Sequence, residues 1–117
     1  MFYVRNTDDH PRNHGFVAEP EGVSLSPLFD VVPALAQPGV GSEFFLATGV
    51  GREGRLASLA NLCSAAASFN LSVAQARELG AAMQARVADS WRQRFSEAGF
   101  NDAELESLAP SFPVQGV

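Results

Sequence analysis

The sequence predicts a mainly α domain carrying one small β-hairpin near its start. Apolar residues step by three or four from Val73 through Ala76, Leu79, Met83, Val87 and Trp91 to Phe95. That is the period of one helix face, sustained for about six turns. Segment 15–26 instead sets short apolar runs around a turn, and glycine and proline concentrate in residues 1–55. The chain therefore divides into an irregular part with the hairpin, residues 1–55, and a helical scaffold, residues 56–112.

Taken in order, residues 6–16 (NTDDHPRNHGF) form a polar loop. GFVA, EPEG and VSLS then read as strand, turn and strand, with Pro20 and Gly22 at the corner. Residues 33–43 (PALAQPGVGSE) read as a loop, and FFLAT (44–48) as one more short strand before the glycine-rich GVGREGR. RLASLANLCSAAASF predicts a helix over 55–69, with Leu56, Leu59, Leu62 or Cys63, Ala66 and Phe69 on one face.

Ser72 and Gln75 have the spacing of a capping box and open the long helix, which Gly99 closes as a left-handed cap. Asn101 and Glu104 repeat the box for the last helix. Phe100 is placed to pack on Leu105 as a hydrophobic staple, and Pro110 ends the helix. Trp91 and Met83 lie in helical register and are expected in the core.

Composition sets limits on function. The chain has 117 residues, enough for one modest core, and its 46% hydrophobic and 18% charged content is globular. Net charge is −5 and all eight basic residues are arginine, with no lysine and no basic cluster, so direct nucleic-acid binding is not expected. Cys63 is alone in an apolar run, which predicts a buried thiol and a reducing, cytoplasmic setting. No apolar run is long enough for a membrane span, so no membrane partner is expected either.

The loop 6–16 admits three readings. His10 and His14 have H-x3-H spacing with Asp8 and Asp9 beside them, but a structural zinc site wants four good ligands, and Cys63 has no partner cysteine. A turn is the simplest alternative, since Asn, Asp, Thr, Pro and Gly all satisfy bent backbone. The third is phosphoryl transfer. Asp8 and Asn13 show the D-x-x-x-x-N spacing of a protein-kinase catalytic loop, and Asp30 follows the apolar LSPLF after the hairpin, where kinases carry another magnesium-binding aspartate. A second pattern competes for phosphate: Gly49, Gly51 and Gly54 spell G-x-G-x-x-G, but after the catalytic-type loop, the wrong order for a kinase.

RNTDDHPRNHGFV followed by SLSPLFDVVP resembles the C-terminal lobe of HipA-like serine/threonine kinases, the toxins of bacterial toxin–antitoxin pairs. LATGVGREGRLASL, DSWRQRF and LAPSF extend the resemblance over nearly the whole chain. It implies a kinase-like C-terminal lobe with the hairpin next to the catalytic loop, and magnesium with ATP as cofactor. Asp8 would be the catalytic base, with Asn13 and Asp30 as magnesium ligands. His10 would brace the loop of the cofactor site, and Arg12 would lie near phosphate or substrate. It also implies that GVGREG is a plain connection into the following helix.

A kinase further needs a nucleotide cradle and a lysine on the phosphates. The family places these in an N-terminal region, whereas Met1 stands almost at the loop. The chain is accordingly expected to be inactive alone. It is expected to associate with a separate N-terminal kinase chain, an antitoxin protein or a second copy of itself. The expected contact surface is Phe2, Tyr3 and Val4 together with Phe44, Phe45 and Leu46. A non-catalytic interaction module is the alternative.

Overall fold

The structure, a computed structural model, describes residues 2–34 and 43–112. The loop expected over 33–43 therefore lies largely outside the described residues. The described part is mainly helical, with one two-stranded sheet. Strand β1, Phe16–Glu19, pairs antiparallel with β2, Gly22–Leu25, in the register Phe16↔Leu25 to Glu19↔Gly22. Pro20 and Glu21 make the two-residue corner, and Gly22, expected in it, opens β2 opposite Glu19 instead.

Helix α1 is Leu59–Ser64, shorter than the expected 55–69. Ser58 caps it by accepting the Asn61 N–H, which sets the start. Residues before it are held by pairing instead: Phe45 and Leu56 form an isolated bridge, all that the structure makes of the expected 44–48 strand. A 3-10 turn, Ala66–Phe69, follows and stops at Asn70, which adopts left-handed φ 56°. Phe69 is left 72% exposed rather than facing the core.

Helix α2, Val73–Glu97, opens on a full Ser72/Gln75 capping box. It closes with Gly99 at φ 97°, where Phe100 N–H donates to Phe95 O and Gly99 N–H to Ser96 O. Those two bonds are the Schellman arrangement, so the expected glycine stop is met. Helix α3, Asp102–Leu108, has its own box from Asn101 and Glu104 and runs into a 3-10 turn through Pro110. Phe100 packs its edge on Phe95, with ring centroids 5.0 Å apart.

Two small cores result. Phe2, Leu46 and Ala57 form one, with Tyr3, Phe44 and Val50 against it. Trp91, Leu105 and Phe112 form the other, joined by Val4, Val87, Phe95 and Leu108. This corrects two expectations. Phe2 is buried and Tyr3 and Val4 are half-buried by the chain's own residues, so they are not an exposed apolar edge, and only Phe45 of the 44–46 run is largely exposed. Along α2, Trp91 is buried but Val73, Leu79 and Met83 are more than half exposed. The first half of α2 turns Gly80 inward, against the side chains of Leu59 and Tyr3. A glycine lets α1 and the N-terminal turn approach closely, and that close contact, not the longer apolar side chains, decides which side is covered. Among the described residues no helix is long and apolar enough to cross a membrane.

Candidate functional site

The polar loop is built around one carbonyl. His10 has extended backbone and Pro11 opens a 3-10 turn, Pro11–Asn13, its fixed φ suiting the first turn position. The chain thus doubles back on Asp8, whose carbonyl accepts both the His10 N–H (3.1 Å) and the Asn13 Nδ2 (3.3 Å). The Asn13 N–H donates in turn to His10 O at 2.9 Å. Asn13 is only 6% exposed, and its Nδ2 bond fixes which end of the amide is the oxygen. The Asp8 carboxylate itself is exposed. His10 holds the turn through its backbone, while its Nδ1 is buried without a hydrogen-bond partner. The Arg12 side chain is exposed.

Asp30 comes to the same region by way of Asn6. The Asn6 Oδ1 accepts the Asp8 N–H at 3.2 Å, and Nδ2 approaches Asp30 O at 3.5 Å, the long limit of a hydrogen bond. Asp30 is exposed and left-handed, φ 54°. Such a conformation is uncommon outside glycine and clusters where surrounding structure imposes it. Asp8, Asn13 and Asp30 are thus linked through backbone and carboxamide contacts. Asn13 also shares a shallow hollow with Gly15, Leu25 and Leu28 at the base of the hairpin.

Two further residues shape the loop, the first of them assigned no role from the sequence. Asn6, 2% exposed, is one; an asparagine two residues before an aspartate is the spacing at which its side chain accepts the later N–H. Asp9 is the other. It is buried and its Oδ1 meets His14 Nε2 at 2.6 Å, pinning the two ends of the loop. That contact commits His14 to the loop's own structure.

The donor set suits a hard cation. The Asp30 carboxylate and the Asn13 amide oxygen are oxygen ligands, and among the described residues no group of three or more His, Cys, Asp or Glu could hold a metal ion by itself. Magnesium characteristically takes one or two carboxylates and completes its shell with water and substrate phosphates, so these residues fit it.

The glycine pattern has another occupation. The N–H groups of Val50, Gly51 and Gly54 close a turn on Gly54 and Gly51 carbonyls, Arg52 N–H donates to Ser64 Oγ, and Glu53 N–H to Asn61 Oδ1. Asn61, fully buried, returns two bonds to the Gly54 and Leu56 carbonyls. Five successive amides are satisfied within the protein, which leaves no cradle for phosphate.

The hairpin points its apolar face outward. Phe16, Ala18, Val23 and Leu25 share one face by register and are all exposed, Phe16 to 74%. The other face carries the Ser24–Glu19 hydrogen bond.

Comparison with known proteins gives one result. A family model described as the HipA-like C-terminal domain matches residues 1–91, which takes in the polar loop, the hairpin, Asp30, α1 and most of α2. No curated protein and no solved structure matches.

Proposed function

The chain belongs to the HipA-like C-terminal domain family, and from that premise we propose that it is the catalytic-loop lobe of a protein serine/threonine kinase. The observation that carries this reading is the Asn13 side chain. It is buried and bonded to the Asp8 carbonyl, so the two residues of the D-x-x-x-x-N pattern form one unit, which Asn6 ties to the backbone of the left-handed Asp30.

In this reading Asp8, exposed to a substrate, accepts the proton of the attacking serine or threonine hydroxyl. Asn13 through its amide oxygen and Asp30 through its carboxylate hold magnesium, which when bound with ATP neutralises charge on the phosphate oxygens. His10 keeps Asp8 and Asn13 in register through its backbone bonds, and Arg12 stands in solvent where a phosphate or an acidic substrate group would approach. The lysine that orients ATP phosphates has to come from elsewhere, because these residues contain none. Turnover therefore requires a nucleotide-binding part, and the chain is inactive without it. A cytoplasmic setting belongs to the same reading, supported by Cys63, alone and buried.

A second reading is favoured by the hairpin: a non-catalytic interaction module. An apolar strand face turned to solvent is a surface for another chain, whether a separate N-terminal kinase chain, an antitoxin protein or a second copy. Phosphate transfer from magnesium-ATP to a serine-containing protein substrate separates the two readings. It is measured with the chain alone and with an N-terminal kinase region of the same family added. Turnover in the mixture only is the expected result. Silence in both, with the two chains bound to each other, assigns the interaction module instead.

A further inference from the structure

The side chains of Asp8 and Asp30 are both exposed, so packing around those side chains does not hold them in place. Their positions are inherited from the backbone, and one buried side chain touches the backbone of both. Asn6 accepts the Asp8 N–H and approaches the Asp30 carbonyl, 24 residues away in sequence. Next to it the tie is doubled: Ala34 N–H donates to Arg5 O at 3.1 Å, and Ser111 Oγ donates to Ala34 O at 2.6 Å. Arg5 and Asp30, which flank this contact, are two of the three non-glycine residues with positive φ among the described residues. Conformations of that kind persist where their surroundings over-determine them.

We propose that Asn6 is a positioning residue whose carboxamide couples the Asp8 backbone to the Asp30 backbone, so that the two carboxylates keep one separation. What those carboxylates do rests on the kinase reading above; the coupling does not. A neutral carboxamide presents an acceptor and a donor at opposite ends of one plane, and the two backbone groups here need one of each. Aspartate would turn a second acceptor toward the Asp30 carbonyl. Serine could still accept the Asp8 N–H two residues on, but could not reach Asp30. Alanine does neither.

The test is residue-resolved amide hydrogen exchange on the full chain as wild type, Asn6→Ala and Asn6→Ser, with Mn2+ affinity read on the same samples from line broadening. In Asn6→Ala the Asp8 amide loses its acceptor and should exchange about tenfold faster, and the Ala34 amide, held by Arg5 O beside the severed Asp30 contact, should exchange faster with it, while the Trp91 amide in α2 stays as protected as before. Asn6→Ser should restore Asp8 and leave Ala34 fast. Both variants should bind Mn2+ about tenfold more weakly, because fixing ligand geometry is worth that much in second-shell partners of metal sites.

Faster exchange at Asp8 alone in Asn6→Ala overturns the proposal, since Asn6 is then a local turn residue. A uniform rise at Asp8, Ala34 and Trp91 overturns it as well, because Asn6 then supports the fold and positions nothing. If Asn6→Ala does not fold, the Asn6→Ser split between Asp8 and Ala34 decides. A wild-type chain without any Mn2+ response counts against the metal reading, and the exchange pattern still decides the coupling.

Discussion

Trp91 and Phe112 stack face to face, with ring centroids 4.4 Å apart and planes 7° from parallel. Phe95 sets its edge against both rings, so α2 and the C-terminal turn share one aromatic core. Trp91→Ala should therefore cost about 3–5 kcal/mol. Met83→Ala, on the same helix but 60% exposed, should stay within about 0.5 kcal/mol. Urea denaturation of the two variants checks the pair; equal losses would mean that the apolar stripe of α2 is buried along its whole length.

Gly51 separates structure from phosphate binding in the glycine-rich turn. A Cβ there would collide with the Asn61 carbonyl and come 2.6 Å from Ser64 Oγ, while one at Gly49 would meet nothing within 4 Å. Gly51→Ala should lose about 2–3 kcal/mol and Gly49→Ala only a few tenths. Thermal melting in the presence and absence of ATP reads both effects. A stabilisation by ATP that disappears in Gly51→Ala would return the pattern to phosphate duty.

Tyr3 makes a pH prediction. Burial, and after it the charge of Cys63, pushes its phenol above the ordinary 10.0. The folded chain thus holds this proton more tightly than the unfolded chain does. The corresponding stability is complete below pH 10 and is lost as pH rises through the raised native value. Because the hydroxyl is also buried without a hydrogen-bond partner, Tyr3→Phe should leave neutral stability unchanged or improved by up to about 1 kcal/mol, and should flatten the alkaline fall. Denaturation midpoints from pH 8 to about pH 11 measure this. A clear loss at neutral pH would reveal a partner for the hydroxyl.

Association should run through the hairpin. Phe16, Val23 and Leu25 are exposed on one face, whereas Phe2 is core. Light scattering should show concentration-dependent oligomers that Val23→Glu with Leu25→Glu dissolves without loss of stability, while Phe2→Ala destabilises the monomer by about 3–5 kcal/mol. A clean monomer at high micromolar concentration would leave the face to a different chain.

Much of this molecule was legible from short-range chemistry. The Ser72/Gln75 and Asn101/Glu104 boxes, the Gly99 stop and the Pro20–Gly22 corner each depend on a few neighbouring residues, and each stands where the spacing put it. What was not legible depends on contacts between distant segments. The periodicity of α2 could not reveal that Gly80, against Leu59 and Tyr3, would choose the buried side over Leu79 and Met83. Likewise Phe2 and Val4 found cover from Leu46 and the Trp91 cluster, which no local pattern announces. At the site, the D-x-x-x-x-N spacing marked Asp8 and Asn13, but Asn6 gains its meaning from Asp30, far along the chain.

The proposed kinase reading sets Asp8, as the base, beside a metal–nucleotide site held by Asn13 and Asp30. It is tested most directly by Mn2+ broadening of the amide spectrum in the presence of ATP, on the wild type and on Asp30→Asn. Asp30 is exposed, so the substitution should leave the fold intact. Binding should be weak, with broadening confined to residues 6–14 and 28–32 and largely abolished in Asp30→Asn. Broadening centred on Asp102 and Glu104 in the first turn of α3, or a response indifferent to Asp30→Asn, would overturn the kinase reading.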